Sequence, residues 1–328
     1  MRTGLLPIRK QKQDPMQINF RLLSVATLTV FATFIACTKA SVSVTVPTDN
    51  SAELATHSDD QSNVSDGMDA VNNDLVGQNG AVESSSSFSG GRMSNMNSIC
   101  NASATYDSVS NPRKITVTYS GADCYGTRSR TGTVILSMPA ATRWTNAGAA
   151  ITVTFQNLKI TRTVDNKSIT INGSQTYTNV SGGLLANLAS LQTITHTISG
   201  SLSITFDDNS VRTWSTARKN VFTYSNGVVA TISGNHTDGN NNNVAEWGLN
   251  RYGHTFSTSI TQPLVIRQDC NFRLTSGQVT HTGFATATAT FGLDAYGNAT
   301  SCPGTGHYYF KLNWTGFAGS PQSVILPY

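Results

Sequence analysis

From Cys100 onward, apolar side chains recur at every second position with threonine or serine between them. Ile115, Val117 and Tyr119 alternate with Thr116 and Thr118; Ile151, Val153 and Phe155 repeat the pattern, as do Leu202, Ile204 and Phe206. Ala285, Ala287, Ala289 and Phe291 alternate with threonine, and Tyr308, Phe310, Leu312 and Trp314 form a late apolar row. A period of two with a polar second face is the pattern of half-buried antiparallel strands. Turn residues fall between the runs. Asp165-Asn166 separates TRTV from KSITI, and Asn226-Gly227, a strong hairpin signal, separates NVFTYS from VVATI. No strand–helix–strand rhythm occurs, so the expected fold is all-β: one antiparallel meander over 99–328, forming a sandwich or a barrel-like sheet. GLLANLASL, Gly183 to Leu191, is the one stretch there with helical character. It reads equally well as a cap on an open end or as a loop over an edge.

The preceding segment, 38–98, is rich in Ser, Asn, Asp and Gly, as in SSSSFSGGRMSNMNS. Its acids include Asp49, Glu53, Asp59, Asp60, Asp66, Asp69, Asp74 and Glu83. The expectation is a solvated, unstructured tether, because so little apolar surface does not offset the entropy of ordering.

Before the tether, Arg21 to Cys37 reads RLLSVATLTVFATFIAC. A basic residue, an apolar run too short for a membrane span and a small residue before Cys37 make a secretion signal. Phe-Ile-Ala-Cys resembles the lipobox of bacterial lipoproteins, with Phe34 where leucine is usual. That resemblance implies a diacylated Cys37 as the N-terminus of the exported chain, within a signal segment spanning 1–37. Met16 is an alternative start of ordinary signal length. Several acyl chains on one cysteine anchor a protein lastingly, at about 0.8 kcal/mol per buried CH₂. Thr38-Lys39-Ala40-Ser41 follows the cysteine with no acid, which favours the periplasmic face of the outer membrane.

The other four cysteines, Cys100, Cys124, Cys270 and Cys302, form an even set in an exported chain and allow three disulfide connectivities. Proximity along the chain favours Cys100–Cys124 and Cys270–Cys302, each worth about 3–4 kcal/mol in the chain-entropy model. A closed barrel would instead allow Cys100–Cys302. No pair has the short spacing of a zinc site.

Three stretches resemble a group of β-rich lipoproteins of the Bacteroidota: ITVTYSGADCYGTRSRTGTVIL over Ile115–Leu136, TSITQPLVIRQDC up to Cys270, and FGLDAYGNATSCPG from Phe291. The last departs from the group's Cys-Asp turn. The resemblance covers nearly the whole chain and implies a lipid-anchored β-domain on a spacer, with no activity attached.

Chemistry is sparse. There is no Gly-x-Ser-x-Gly elbow to accompany His196, His236, His254, His281 or His307. The domain's acids, Asp107, Asp165, Asp208 and Asp294 among them, sit in turn contexts where aspartate accepts backbone hydrogen bonds. HTDGNNNNVAEW, His236 to Trp247, supplies a calcium candidate in Asp238, Asn240, Asn242 and Glu246, set against a solvated hairpin tip. Trp144, Trp214, Trp247 and Trp314 are candidates for stacking on sugars. Asp107-Ser108-Val109 resembles an O-glycosylation acceptor. The charge of +4, with no clustered Lys/Arg, argues against nucleic acid. The expectation is an envelope protein with no cofactor, a non-enzymatic binding or structural module whose partners are the membrane and glycans or other envelope proteins. The alternative is a glycan hydrolase with a non-contiguous site. Cys37→Ala should abolish fatty-acid labelling and move the protein to the soluble fraction; a variant that still labels and sediments with membranes would refute the anchor.

Overall fold

The computed structural model describes 101–328, apart from 125, 240, 303–305 and 316–318, together with eleven residues between 53 and 71. Cys37 and Cys100 lie outside the described residues. The domain is all-β, one antiparallel sheet of fifteen strands curled into a barrel-like form. The strands are β1 (Ala102–Asp107), β2 (Arg113–Ala122), β3 (Arg128–Met138), β4 (Ala149–Arg162), β5 (Ser168–Asn179), β6 (Thr193–Phe206), β7 (Val211–Tyr224), β8 (Val228–Gly234), β9 (His236–Asp238), β10 (Asn241–Leu249), β11 (Thr255–Arg267), β12 (Arg273–Thr282), β13 (Thr286–Leu293), β14 (Tyr309–Thr315) and β15 (Pro321–Pro327). Neighbours in sequence pair as a meander from β1 to β7 and from β10 to β15. Between β7 and β11, β8 and β10 share the gap end to end: β8 pairs the Arg218–Tyr224 part of β7, and β10 the Thr213–Thr216 part. Both turn signals hold. Asn166 and Asn226 adopt positive φ, and Asp165 Oδ1 accepts the Lys167 amide.

The alternations read from the sequence become rows on one face of the sheet, except that Ala285 falls before β13 and is not buried. Ile115, Val117, Ile151, Val153, Phe155, Ile204, Ala289 and Leu312 are all buried there. Along β6, Ile194 packs into one apolar cluster with Phe222, Ile232 and Ile266. Leu202, Ile204 and Phe206, on the same face of the same strand, join a second with Ile115, Leu136 and Ile160. Between Trp214 of one cluster and Phe222 of the other, β7 places Thr216, Arg218 and Asn220 on the same face, and Arg212 lies within the first cluster, paired with Ile204. A β-bulge at Asn157 bends β4 over β3, where Gly132 has φ +110° and an added Cβ would stand 2.2 Å from the Asn157 carbonyl oxygen. Only glycine allows that approach.

The unstructured tether expected over 38–98 is corrected at 53–71. There the described residues, Glu53, Thr56, His57, Asp59, Asp60, Gln61, Asn63, Val64, Gly67, Met68 and Val71, are helical; the helix is α1. His57, Asp60, Gln61, Val64, Met68 and Val71 recur every three or four residues and are buried. Val64, Met68 and Val71 enter the cluster of Ile115 and Leu136, each side chain worth about 1.5–3 kcal/mol in burial. At Gly67 a Cβ would lie 3.0 Å from Ile160 Cδ1, so the helix backbone comes close to the sheet. Composition pointed to disorder because half of this stripe is polar. Asp60 and Gln61 find hydrogen-bond partners among the residues of the sheet domain, which offsets the cost of burying them.

Within 99–328, GLLANLASL supplies the short helix α2 (Leu188–Leu191), preceded by a 3₁₀ turn, Leu185–Asn187. Leu188 is buried with Ile194 and Phe222, so α2 folds over the β6–β7 end of the sheet. Cys270 and Cys302 form a disulfide with Cα atoms 5.1 Å apart. They do not sit on adjacent strands. Cys270 follows β11 in a 3₁₀ turn, and the bend at 294–298, closed by Asp294 N–H to the Asn298 carbonyl at 2.8 Å, returns Cys302 to it. Cys124 is also disulfide-bonded.

Candidate functional site

Titratable groups gather in a belt that runs from the first apolar cluster, around Arg212, toward the second. Strand alternation on β7 places Arg212, Thr216 and Arg218 on the concave face. The β-bulge between Val244 and Glu246 turns Glu246 to the same side, paired with Thr216. Thr258 of β11 and His281 of β12 pair opposite one another. From above, α1 lowers His57, Asp60 and Gln61, which its 3.6-residue turn sets on one face.

Gln61 is the bridge. Its carbonyl accepts Arg212 Nη2, and its amide donates to Glu246 Oε2 at 3.1 Å. Glu246 also takes Arg218 Nη2 as an ion pair. Asp60 is held by two nitrogens of Arg251, with Nε at 2.7 Å, and Arg251 reaches Asp208 at 3.0 Å while its guanidinium lies 3.8 Å above the Phe206 ring. Farther up the helix, Glu53 accepts from Asn250 at 2.7 Å and meets His254 Nδ1 at 2.6 Å. Asp59 pairs with Lys167 at 2.7 Å and Arg162 at 3.3 Å. These last pairs are partly exposed and worth at most about 1 kcal/mol each; breaking a buried pair such as Asp60–Arg251 costs about 3–5 kcal/mol.

Arg212 has no exposed surface. Its guanidinium carbon lies 4.6 Å from the Phe256 ring centre, and the His57 ring stands 4.9 Å from Phe256 and 4.8 Å from His281. Burial, then the charges of Arg212 and His281, push the His57 pKa down to about 2. Burial and Arg212 push His281 down to about 4, and burial alone takes His196 to about 4. Burial lowers Arg212 to about 10 against the pull of Asp60, so it stays charged at neutral pH. Burial raises the Asp60 carboxyl in spite of Arg251.

The calcium candidate does not assemble. Glu246 is buried against Gln61 and Arg218, whereas Asp238 and Asn242 are exposed near the β9–β10 hairpin, where Asn242 accepts the Thr237 hydroxyl at 3.2 Å. Asn240 lies outside the described residues. Strand alternation and the bulge separate the members. The tryptophans do not share a face either. Trp144 and Trp214 are core residues, Trp247 stacks on His236 at 4.0 Å, and Trp314 packs on the second cluster. Turn duty accounts for Asp107, Asp123, Asp165, Asp208 and Asp294, each accepting a backbone N–H two to four residues on. Asp107, Ser108 and Val109 are exposed. His57, Asp60, Gln61 and Arg212 were missed. The signal for the first three was the spacing of His57, Gln61, Val64, Met68 and Val71; for Arg212 it was a cation in phase with Trp214 on one strand face.

No protein-family model matches the chain, and no curated protein or solved structure does either.

His57, His196 and His281 set a pH dependence. Their folded pKa values lie below the unfolded value of about 6.5, so the unfolded chain binds more protons as pH falls. Stability is complete above about pH 6.5 and is lost as the pH falls toward 4, by up to about 1.4 kcal/mol per unit for each histidine. Chemical denaturation from pH 7.5 to 4.5 should show this slope, and His57→Gln should flatten it. An unchanged slope in that variant would contradict a neutral, buried His57.

Proposed function

We propose that this chain is a cell-envelope lipoprotein, anchored through Cys37 to the outer membrane. Its barrel-like domain works as a non-enzymatic binding or structural module, with glycans or other envelope proteins as partners. The observation that carries this reading is the state of the interior acids. Asp60 and Glu246 are buried, and each is neutralised by an arginine. A hydrolase needs such carboxylates open to substrate, one of them free to give or take a proton. With the interior closed by α1, partners meet the outer surface, where Tyr224, Tyr252 and Tyr296 are exposed. The anchor stays near the domain: residues 38–52 span about 50 Å at full extension.

The clustering of Asp60, Glu246, His57 and His281 favours the second reading, a glycan hydrolase whose site opens when α1 leaves. One experiment separates the two. The chain from residue 38, incubated with envelope polysaccharide and peptidoglycan, should be retained saturably without releasing reducing ends. Release of reducing ends that disappears in Glu246→Gln would establish the hydrolase, and failure to bind any envelope fraction would contradict the binding module.

A further inference from the structure

The belt holds a cation that its own acids do not directly balance. Arg251 touches Asp60 and Arg218 touches Glu246. Arg212, fully buried, has one hydrogen bond among the described residues, to the neutral Gln61 carbonyl, and a ring contact with Phe256. Its Nε and Nη1 meet no acceptor among the described residues. Two more ring nitrogens beside it are in the same position, His57 Nδ1 and His281 Nε2. The Thr258 hydroxyl, 3.2 Å from His281 Nδ1, can donate to that nitrogen and so leave the proton on the buried Nε2 as a donor.

Buried donors in native proteins are nearly always satisfied, and an unsatisfied one on a charged group is especially costly. Water would supply an acceptor but no charge. The nearest acid, Asp60, is already engaged twice by Arg251. We propose that this belt binds a small monovalent anion, of the halide or short-carboxylate class, on Nε and Nη1 of Arg212, with the His281 Nε2–H and the His57 ring completing the site. The rings of Phe256, His57 and His281 pack on one another beside the guanidinium, with centres 4.8–5.9 Å apart, and so crowded a setting restricts the ligand to a few atoms and excludes a sugar or a phosphate ester. The anion would lock α1 to the sheet, since His57 comes from the helix and Arg212 and His281 from two strands.

The test uses the chain from residue 38 at fixed ionic strength, with gluconate, too large for the site, replaced stepwise by chloride, bromide or acetate. The melting temperature should rise by roughly 3–5 °C per tenfold increase in the small anion above its dissociation constant. Arg212→Gln should show no such rise. Should that variant fail to fold, Thr258→Val, which keeps Arg212 and removes the bond orienting His281, should show a smaller one. Crystals grown in bromide should give an anomalous peak within hydrogen-bond distance of Arg212 Nε. Equal melting in gluconate and chloride, or density for water alone on Nε and Nη1, would overturn the site.

Discussion

A guanidinium with no exposed surface dictates how this molecule is assembled. A curled sheet of this width encloses more space than its inward side chains fill along their whole length. Most of its inward side chains are apolar and gather in two clusters. Along β7 the row turns polar, and Arg212 there needs both a hydrogen-bond partner and relief from its charge. The sheet alone does not supply them. Gln61 of α1 supplies one hydrogen bond by direct contact, and Asp60 supplies part of the charge relief by its field. The helix therefore belongs to the fold of the domain, and Gln61 is its coupling point. It satisfies a strand cation on one side and a strand carboxylate on the other, so removing it would take the hydrogen-bond partner from Arg212 and one of two partners from Glu246.

This arrangement changes what the segment before the domain means. Acids there that would otherwise keep a tether solvated, Glu53, Asp59 and Asp60, are spent on named partners around the rim and interior of the sheet. Under the proposed anchor on Cys37, the lipid connects through a short stretch to a helix packed inside the sheet. A pull on the anchor would act first on Glu53, where Asn250 and His254 meet it. His57 and His281 add a second dependence, because acid conditions charge these groups beside Arg212 and so work against the same packing.

The sheet was legible because its signal is local. Each strand shows its buried face by alternation, and Asp165-Asn166 and Asn226-Gly227 need only their own φ angles to turn the chain. The pairing of Cys270 with Cys302 was readable as proximity, though the geometry behind it, a bend after β13 rather than adjacent strands, was not. The interior site was hidden for a different reason. His57, Asp60 and Gln61 are polar, and a polar helical stripe reads as solvent-facing unless its partners are known. Those partners, Arg212, Glu246 and Arg251, lie 151, 185 and 191 residues away. Glu246 misled in the other direction: it stands in a run of asparagines that looks like surface, and a single bulge turns it inward.

The central claim is that α1 is an integral part of the domain. Native-state hydrogen exchange measures it most directly, by comparing amides at 60–68 with those of β4 and β6. The account predicts that the helix amides exchange only through opening as costly as that of the strands, and that Gln61→Ala lowers protection in the helix and in β7 together. Exchange of the helix amides at the rate of an unfolded chain, with the strands still protected, would contradict it.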